Sequence, residues 1–105
     1  MKTLIAIPTY NEANNIGKIL NKTLEVPGND ILVIDDNSED QTRAVVRGFF
    51  DTGRVFMLER PAKLGLGTAY IDGFQWGFSK EYDLFFEMDA DNSHNPASIP
   101  AFVER

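Results

Sequence analysis

The 105-residue chain has no cysteine, which excludes disulfide frameworks, thiolate metal sites and cysteine nucleophiles. The absence fits a reducing compartment. Basic residues are in deficit: ten Lys and Arg stand against sixteen Asp and Glu, a net charge of −6. A nucleic-acid binder needs a basic face that releases counterions, so no nucleic-acid partner is expected. A purely electrostatic membrane anchor is excluded for the same reason. No apolar run exceeds five residues, against the roughly 20 needed to span a bilayer. Residues 1–10 lack the basic start and apolar stretch of a signal peptide. Repeats, low-complexity tracts and Gly/Ser linkers are also missing. What is present is an ordinary globular composition, 43% hydrophobic and 25% charged, sufficient for one domain at most.

Apolar runs alternate with helix-period segments four times. Thr3–Ile7 is a short β-prone run, predicted to stop at Pro8. Ile16, Ile19, Leu20 and Leu24 fall at helical spacing behind Asn11, a candidate N-cap. Ile31–Ile34 is apolar at every position, as in a strand buried on both faces. Ser38 and Gln41 have capping-box spacing ahead of a second helix through Val45, Val46, Phe49 and Phe50. Arg54–Leu58 reads as a third strand, and Gly67 to about Lys80 as a third helix with Ile71, Phe74 and Phe78 on one face. Asp83–Met88 reads as a fourth strand, and Pro96 suits the first turn of a helix from Ala97 onward. Alternating β and α with buried-type strands predicts an α/β fold, a mostly parallel sheet covered by helices. Four strands and a helix stub read as the first half of a larger domain.

In open α/β sheets ligands bind beyond the carboxyl ends of the strands, where strand order reverses. Three strands run into polar clusters: Pro8-Thr9-Tyr10-Asn11-Glu12, Asp35-Asp36-Asn37-Ser38 and Asp89-Ala90-Asp91-Asn92-Ser93. The fold is expected to bring them to one edge. Asp89 and Asp91 could share one Mg2+ or Mn2+, which prefers oxygen ligands and substrate phosphates; alone, such a pair could equally cap a turn. Asp36 could accept from a nucleobase N–H. Asp35 could serve a ribose hydroxyl, backbone order or a cap. Tyr10 could stack on a base and Glu12 accept from a sugar, or both could be ordinary helix-start residues. Arg60 and Lys63 could touch a phosphate or sugar, or form a solvated cationic loop. Gly65-Leu66-Gly67 is a poor dinucleotide fingerprint, since Tyr70 holds the third glycine position. Gly73 and Gly77 are expected to let the third helix lie close to the sheet. Trp76 and the phenylalanines are expected to be core or its cover, and His94 a loop residue or a metal or phosphate contact.

Taken together, Pro8–Glu12, Ile34–Ser38, Leu64–Tyr70 and Glu87–Asp91 with Ser93-His94-Asn95-Pro96 resemble the dolichol-phosphate mannosyltransferase (polyprenol-phosphate mannose synthase) group of family 2 glycosyltransferases. The first two motifs are shared broadly in that family; the Gly-Leu-Gly-Thr-Ala-Tyr stretch and the Ser-His-x-Pro are narrower. Position 92 departs, with Asn where the group usually has an apolar residue. The resemblance implies a GT-A fold, with residues 1–105 as its N-terminal nucleotide-sugar-binding portion. It further implies a GDP-mannose donor, a polyprenyl (dolichyl) phosphate acceptor and a Mg2+ or Mn2+ ion. Carried over by position, Pro8, Tyr10, Glu12 and Asp36 would hold the nucleotide, and Asp89 and Asp91 the metal and diphosphate. Asp35, Lys63 and Ala90 complete the expected nucleotide-binding set. Membrane contact is expected through the lipid acceptor, at the cytoplasmic face, by a part of the protein beyond Arg105. Without that part this chain alone is expected to be inactive.

The expected reaction is an inverting displacement at the anomeric carbon by the acceptor phosphate. That monoester already carries nearly two negative charges near pH 7, its second pKa being about 6. It needs little general-base help, and catalysis would be positioning plus electrostatics. Three alternatives remain: another nucleotide sugar such as UDP-glucose, a haloacid-dehalogenase-type phosphatase using Asp89 as nucleophile, and a non-catalytic nucleotide-binding fragment.

Overall fold

Strands form where odd and even residues alike are apolar, because each strand is covered on both faces. The computed structural model describes residues 2–62 and 64–88, with Leu66 as backbone only. Its elements are β1 (Thr3–Thr9), α1 (Ala13–Leu24), β2 (Asn29–Asp35), α2 (Thr42–Arg47), a 3-10 turn (Phe50–Thr52), β3 (Val55–Glu59), α3 (Leu66–Ser79) and β4 (Leu84–Glu87). Every pairing is parallel, in the order β3-β2-β1-β4. The expected α/β architecture is therefore observed. The helix expected from Ala97 onward lies outside the described residues.

Alternate residues feed two cores. Ile5, Ile7, Ile31, Val33 and Val55 face α1 and α2, packing with Ile16, Ile19, Leu20 and Val46. Leu4, Ala6, Leu32 and Ile34 face the other way, onto Ala69, Tyr82, Trp76 and Phe85. Each fully buried Ile, Leu or Val contributes roughly 1.5–3 kcal/mol. The chain moves outward from β1 through β2 to β3 and then returns to β4 on the far side of β1. A right-handed crossover after that reversal must place α3 on the face opposite α1 and α2. The reversal makes the space between the ends of β1 and β4 the topological switch point.

Four local expectations are corrected. β1 continues through Pro8 to Thr9. The carbonyl of Thr9 accepts from Asp36 N–H on the β2 side (3.0 Å), so by alternation Pro8 faces β4. There the described ladder ends at Ala6 opposite Glu87, and no donor is required of the proline. The second helix is shorter than expected, ending at Arg47, and the chain reaches Phe50 in the 3-10 turn. Neither Asn11 nor the Ser38/Gln41 pair caps its helix; the N-caps are Glu12 and Gln41, without side-chain cap bonds. In α3 the packed stripe is Ala69, Gly73 and Gly77, while Ile71 and Phe78 are exposed. A Cβ at Gly73 would lie 2.8 Å from Ile34 Cδ1, and one at Gly77 2.2 Å from Phe85 Cε1. The helix lies close to the sheet at both glycines, as expected for those two residues, and at Gly77 the Phe85 ring and Leu4 leave no room for a side chain.

Candidate functional site at the carboxyl edge

The parallel register sets Thr9, Asp35 and Glu59 side by side at one rim. Asp35 is fully buried. Its Oδ1 accepts from Thr9 Oγ1 (2.7 Å) and Ser38 Oγ (2.5 Å), and its Oδ2 from Ser38 N–H (2.9 Å). These bonds tie the end of β1 to the start of the β2–α2 loop, the backbone ordering that was one of the roles open to Asp35.

Asp36, nearly buried, reaches in another direction. Its Oδ1 accepts from Arg60 Nε at 2.5 Å, and its Oδ2 from the N–H groups of Leu64 and Gly65, both at 3.1 Å. Burial pushes this carboxyl up, but the Arg60 guanidinium and those two N–H groups outweigh it and hold it below the usual carboxylate range. A carboxylate offers roughly four lone-pair sites; three are used here, leaving one on Oδ1. Arg60 also donates through Nη1 to Thr68 Oγ1 and Asp72 Oδ2 (each 3.0 Å), and through Nη2 to the Gly65 carbonyl (2.8 Å). The Asp36 contact raises its pKa further, against the opposing effect of burial. Arg60 is thus not a solvated phosphate-seeking cation. It is buried and clamps the end of β2 to the start of α3. Gly65, at φ +100 and ψ 161, occupies backbone space open essentially to glycine alone.

Between these networks lies the β1–α1 turn, with Pro8, Tyr10 and Glu12 half-buried. Asn11 at its centre is left-handed, with φ +54. Its neighbours in space come from the β2–α2 loop. Asn11 N–H donates to Ser38 Oγ (2.9 Å), Glu12 N–H to Thr42 Oγ1 (2.8 Å) and Ala13 N–H to Asp40 Oδ2 (3.2 Å). Sequence reasoning missed Asp40 and Thr42. The available signal was the alternation of short polar residues at 38, 40 and 42, each able to accept from a backbone N–H. Burial pushes the Asp40 carboxyl up, but hydrogen bonds from the Thr42 hydroxyl and from the Thr42 and Ala13 N–H groups together outweigh it and bring it below the usual range.

The structure thus brings Pro8, Tyr10, Glu12, Asp35 and Asp36 to one rim. Lys63, Asp89, Ala90, Asp91 and His94 lie outside the described residues. Met88, the last described residue, lies beside β1, its N–H donating to Ala6 O at 3.0 Å. Among the described residues no group of three or more acidic or histidine side chains could hold a metal ion, and no helix is long and apolar enough to cross a membrane.

Fold and rim together define an open parallel α/β sheet of the GT-A type, with its polar loops gathered at the carboxyl edge beside the switch point. Residues 4–105 match the profile of Glycosyl transferase family 2, and the chain belongs to that family. It is 45% identical over 107 residues to an undecaprenyl-phosphate mannosyltransferase of Micrococcus luteus, covering 99% of this chain and 44% of the relative. It is 41% identical over 106 residues to a polyprenol monophosphomannose synthase of Mycolicibacterium smegmatis, covering 98% and 40%. The chain therefore spans less than half the length of these curated relatives. Among solved structures, S. aureus TarS 1-349 in complex with UDP-GlcNAc superposes with a TM-score of 0.84 at 21% identity, over 99% of this chain and 30% of that one. The mannosyltransferase PcManGT from Pyrobaculum calidifontis, in complex with GDP-Man and Mn2+, gives 0.66 at 24% identity, over 71% and 24%. These structural likenesses speak to the fold. The relatives match the subgroup resemblance carried by the motifs, and family membership removes the phosphatase reading.

Proposed function

We propose that this chain is the donor-binding half of a polyprenyl-phosphate mannosyltransferase, which moves mannose from GDP-mannose to a polyprenyl phosphate. The observation that carries the reading is the meeting of Pro8, Tyr10, Glu12 and Asp36 on one rim beside the switch point. The names of the two relatives at 45% and 41% identity support its acceptor and sugar. The Mn2+ and GDP-Man of one structural neighbour are in keeping with its donor and ion.

Tyr10 offers a ring to the base, and Glu12 an acceptor to a ribose hydroxyl. The spare lone pair of Asp36 Oδ1 is aligned by Arg60 for a base N–H. Asp35 is left out of the contact set, since it is fully buried, at 0% exposure against 6% for Asp36, and its bonds from Thr9 and Ser38 turn it inward. Asp89 and Asp91 would hold the Mg2+ or Mn2+, and their all-oxygen donor set fits such an ion. When bound, the ion neutralises the diphosphate leaving group. The acceptor phosphate attacks the anomeric carbon with inversion, and the protein contributes orientation and field more than proton transfer. A place at the cytoplasmic face of a membrane follows from the lipid acceptor.

The test is transfer of labelled mannose by the full-length protein from GDP-mannose to a polyprenyl phosphate, with Mn2+ and with chelator. Lipid-linked mannose that vanishes with chelator and in Asp91→Ala is expected. Transfer only from a uridine diphosphate sugar, or transfer indifferent to Asp91→Ala, would sink the reading.

A further inference from the structure

The β1–α1 turn is held almost wholly by the side chains of another loop. Three successive backbone N–H groups, at 11, 12 and 13, donate to three side chains at alternate positions, 38, 40 and 42. In return Asn11 Oδ1 accepts from the N–H groups of Glu39 (2.8 Å) and Asp40 (3.3 Å). Asp40 serves both helices at once. Its Oδ2 takes the first N–H of α1, and its Oδ1 takes the N–H of Thr42 (2.9 Å) and the Thr42 hydroxyl, at the first residue of α2. Ser38 in turn donates to Asp35, so the interlock is anchored to the strand ends.

We infer that Asn11 and Asp40 are positioning residues for the nucleotide: their interlock fixes the turn that carries Tyr10 and Glu12 before any ligand arrives. The inference rests on the nucleotide reading above. Neither residue needs to touch the ligand. A free turn would populate many conformations, and ordering it on binding would consume affinity. The left-handed backbone at Asn11 is one that L-residues other than Asn and Asp rarely adopt. It is maintained here by the two bonds to Asn11 Oδ1 and the one from Asn11 N–H. Because the contacts hold the ground-state shape of the turn, their loss should raise the donor KM and leave kcat in place.

Substitutions at Asn11 separate this role from general folding. Asn11→Gly can keep the left-handed backbone, which glycine adopts freely, while it removes the side-chain acceptor and with it the restraint on the turn. Asn11→Asp puts an acceptor oxygen back, and Asp also tolerates this conformation. With GDP titrated by calorimetry into the full-length protein with Mn2+, Asn11→Gly should bind about tenfold more weakly than the parent, and Asn11→Asp within about twofold. Asp40→Asn retains one acceptor oxygen, enough for Thr42 but not for Ala13 as well, and should lose about threefold. In the unliganded protein, amide exchange at residues 10–13 should quicken in Asn11→Gly and recover in Asn11→Asp. An Asn11→Gly protein that binds GDP like a binding parent, or whose exchange at 10–13 is unchanged, overturns the positioning role. So does an Asn11→Asp protein as weak as Asn11→Gly. A parent that binds neither GDP nor UDP removes the nucleotide reading itself, and the positioning role with it.

Discussion

At the carboxyl edge of the sheet, Asp36 and Asp40 accept from the backbone N–H groups of Leu64, Gly65, Ala13 and Thr42. At the amino edge the polarity is reversed. Arg54 donates to the carbonyls of Asn29, Leu24 and Val26 (2.7–3.0 Å), and Lys2 Nζ to the carbonyl of Lys80 (2.9 Å). The cause is topological. In a parallel sheet each helix runs back against the strands, so helix N-termini, with their unpaired N–H groups, collect at the carboxyl edge. Helix C-termini, with their unpaired carbonyls, collect at the other. Acids are drawn to one edge and cations to the other before any ligand is considered. The amino edge then closes on itself: Tyr82 donates to Asp30 (2.6 Å), stacks on Trp76 and lies beneath Lys2 Nζ. At the carboxyl edge the bonds join loops instead, and Pro8, Tyr10 and Glu12 stay half-open.

This contrast can be broken at several points. The largest effect is expected from Arg60→Leu, which strands a nearly buried carboxylate. A loss of about 3–5 kcal/mol should appear in chemical denaturation, whereas a loss below about 1 kcal/mol would mean that solvent screens the clamp. At the opposite edge Arg54→Ala removes three bonds to carbonyls but leaves no charge buried. It should cost about 2 kcal/mol, with nucleotide affinity untouched. Tyr82→Phe removes one hydrogen bond and should cost about 1 kcal/mol.

A pH dependence, absent near neutrality, sharpens the comparison further. Asp36 is depressed below its ordinary 3.8, so its stabilisation is present above that pH and lost as pH falls through the folded value. Acid should loosen the carboxyl edge, and Asp36→Asn should flatten that limb in acid denaturation curves. Tyr82 moves the other way. Burial first, and then its bond to Asp30, push the phenol above its ordinary 10.0. Its stabilisation is present below that pH and lost as pH rises through the folded value. Alkali should loosen the amino edge, and Trp76, the single tryptophan, reports it by fluorescence. An alkaline limb unchanged in Tyr82→Phe would contradict this assignment.

Much of the fold was legible beforehand. Ile31–Ile34 read as a strand buried on both faces, and Ile16, Ile19 and Leu20 as one side of a helix, and both readings hold. Errors came where a partner lay far along the chain. Ile71 and Phe78 are far bulkier than Gly73 and Gly77, so periodicity favoured their face. Close approach to Ile34 and Phe85 favoured the glycine face instead. Asn11 and Ser38 have the chemistry of caps, yet each spends it on the other's loop, 27 or 28 residues away. Arg60 read as a free cation because Asp36, 24 residues upstream, and Asp72, 12 downstream, are adjacent to it only in the folded chain.

Element positions, the parallel class and the gathering of polar clusters at the strand ends were decided by the one-dimensional pattern. Burial and backbone propensity act over a few residues that are neighbours along the chain. Which partners each acid takes was decided only in three dimensions. Asp35 and Asp36 are adjacent and chemically identical. What separates them is the direction in which β2 ends: one carboxylate turns to Thr9 and Ser38, and the other to Arg60 and the start of α3.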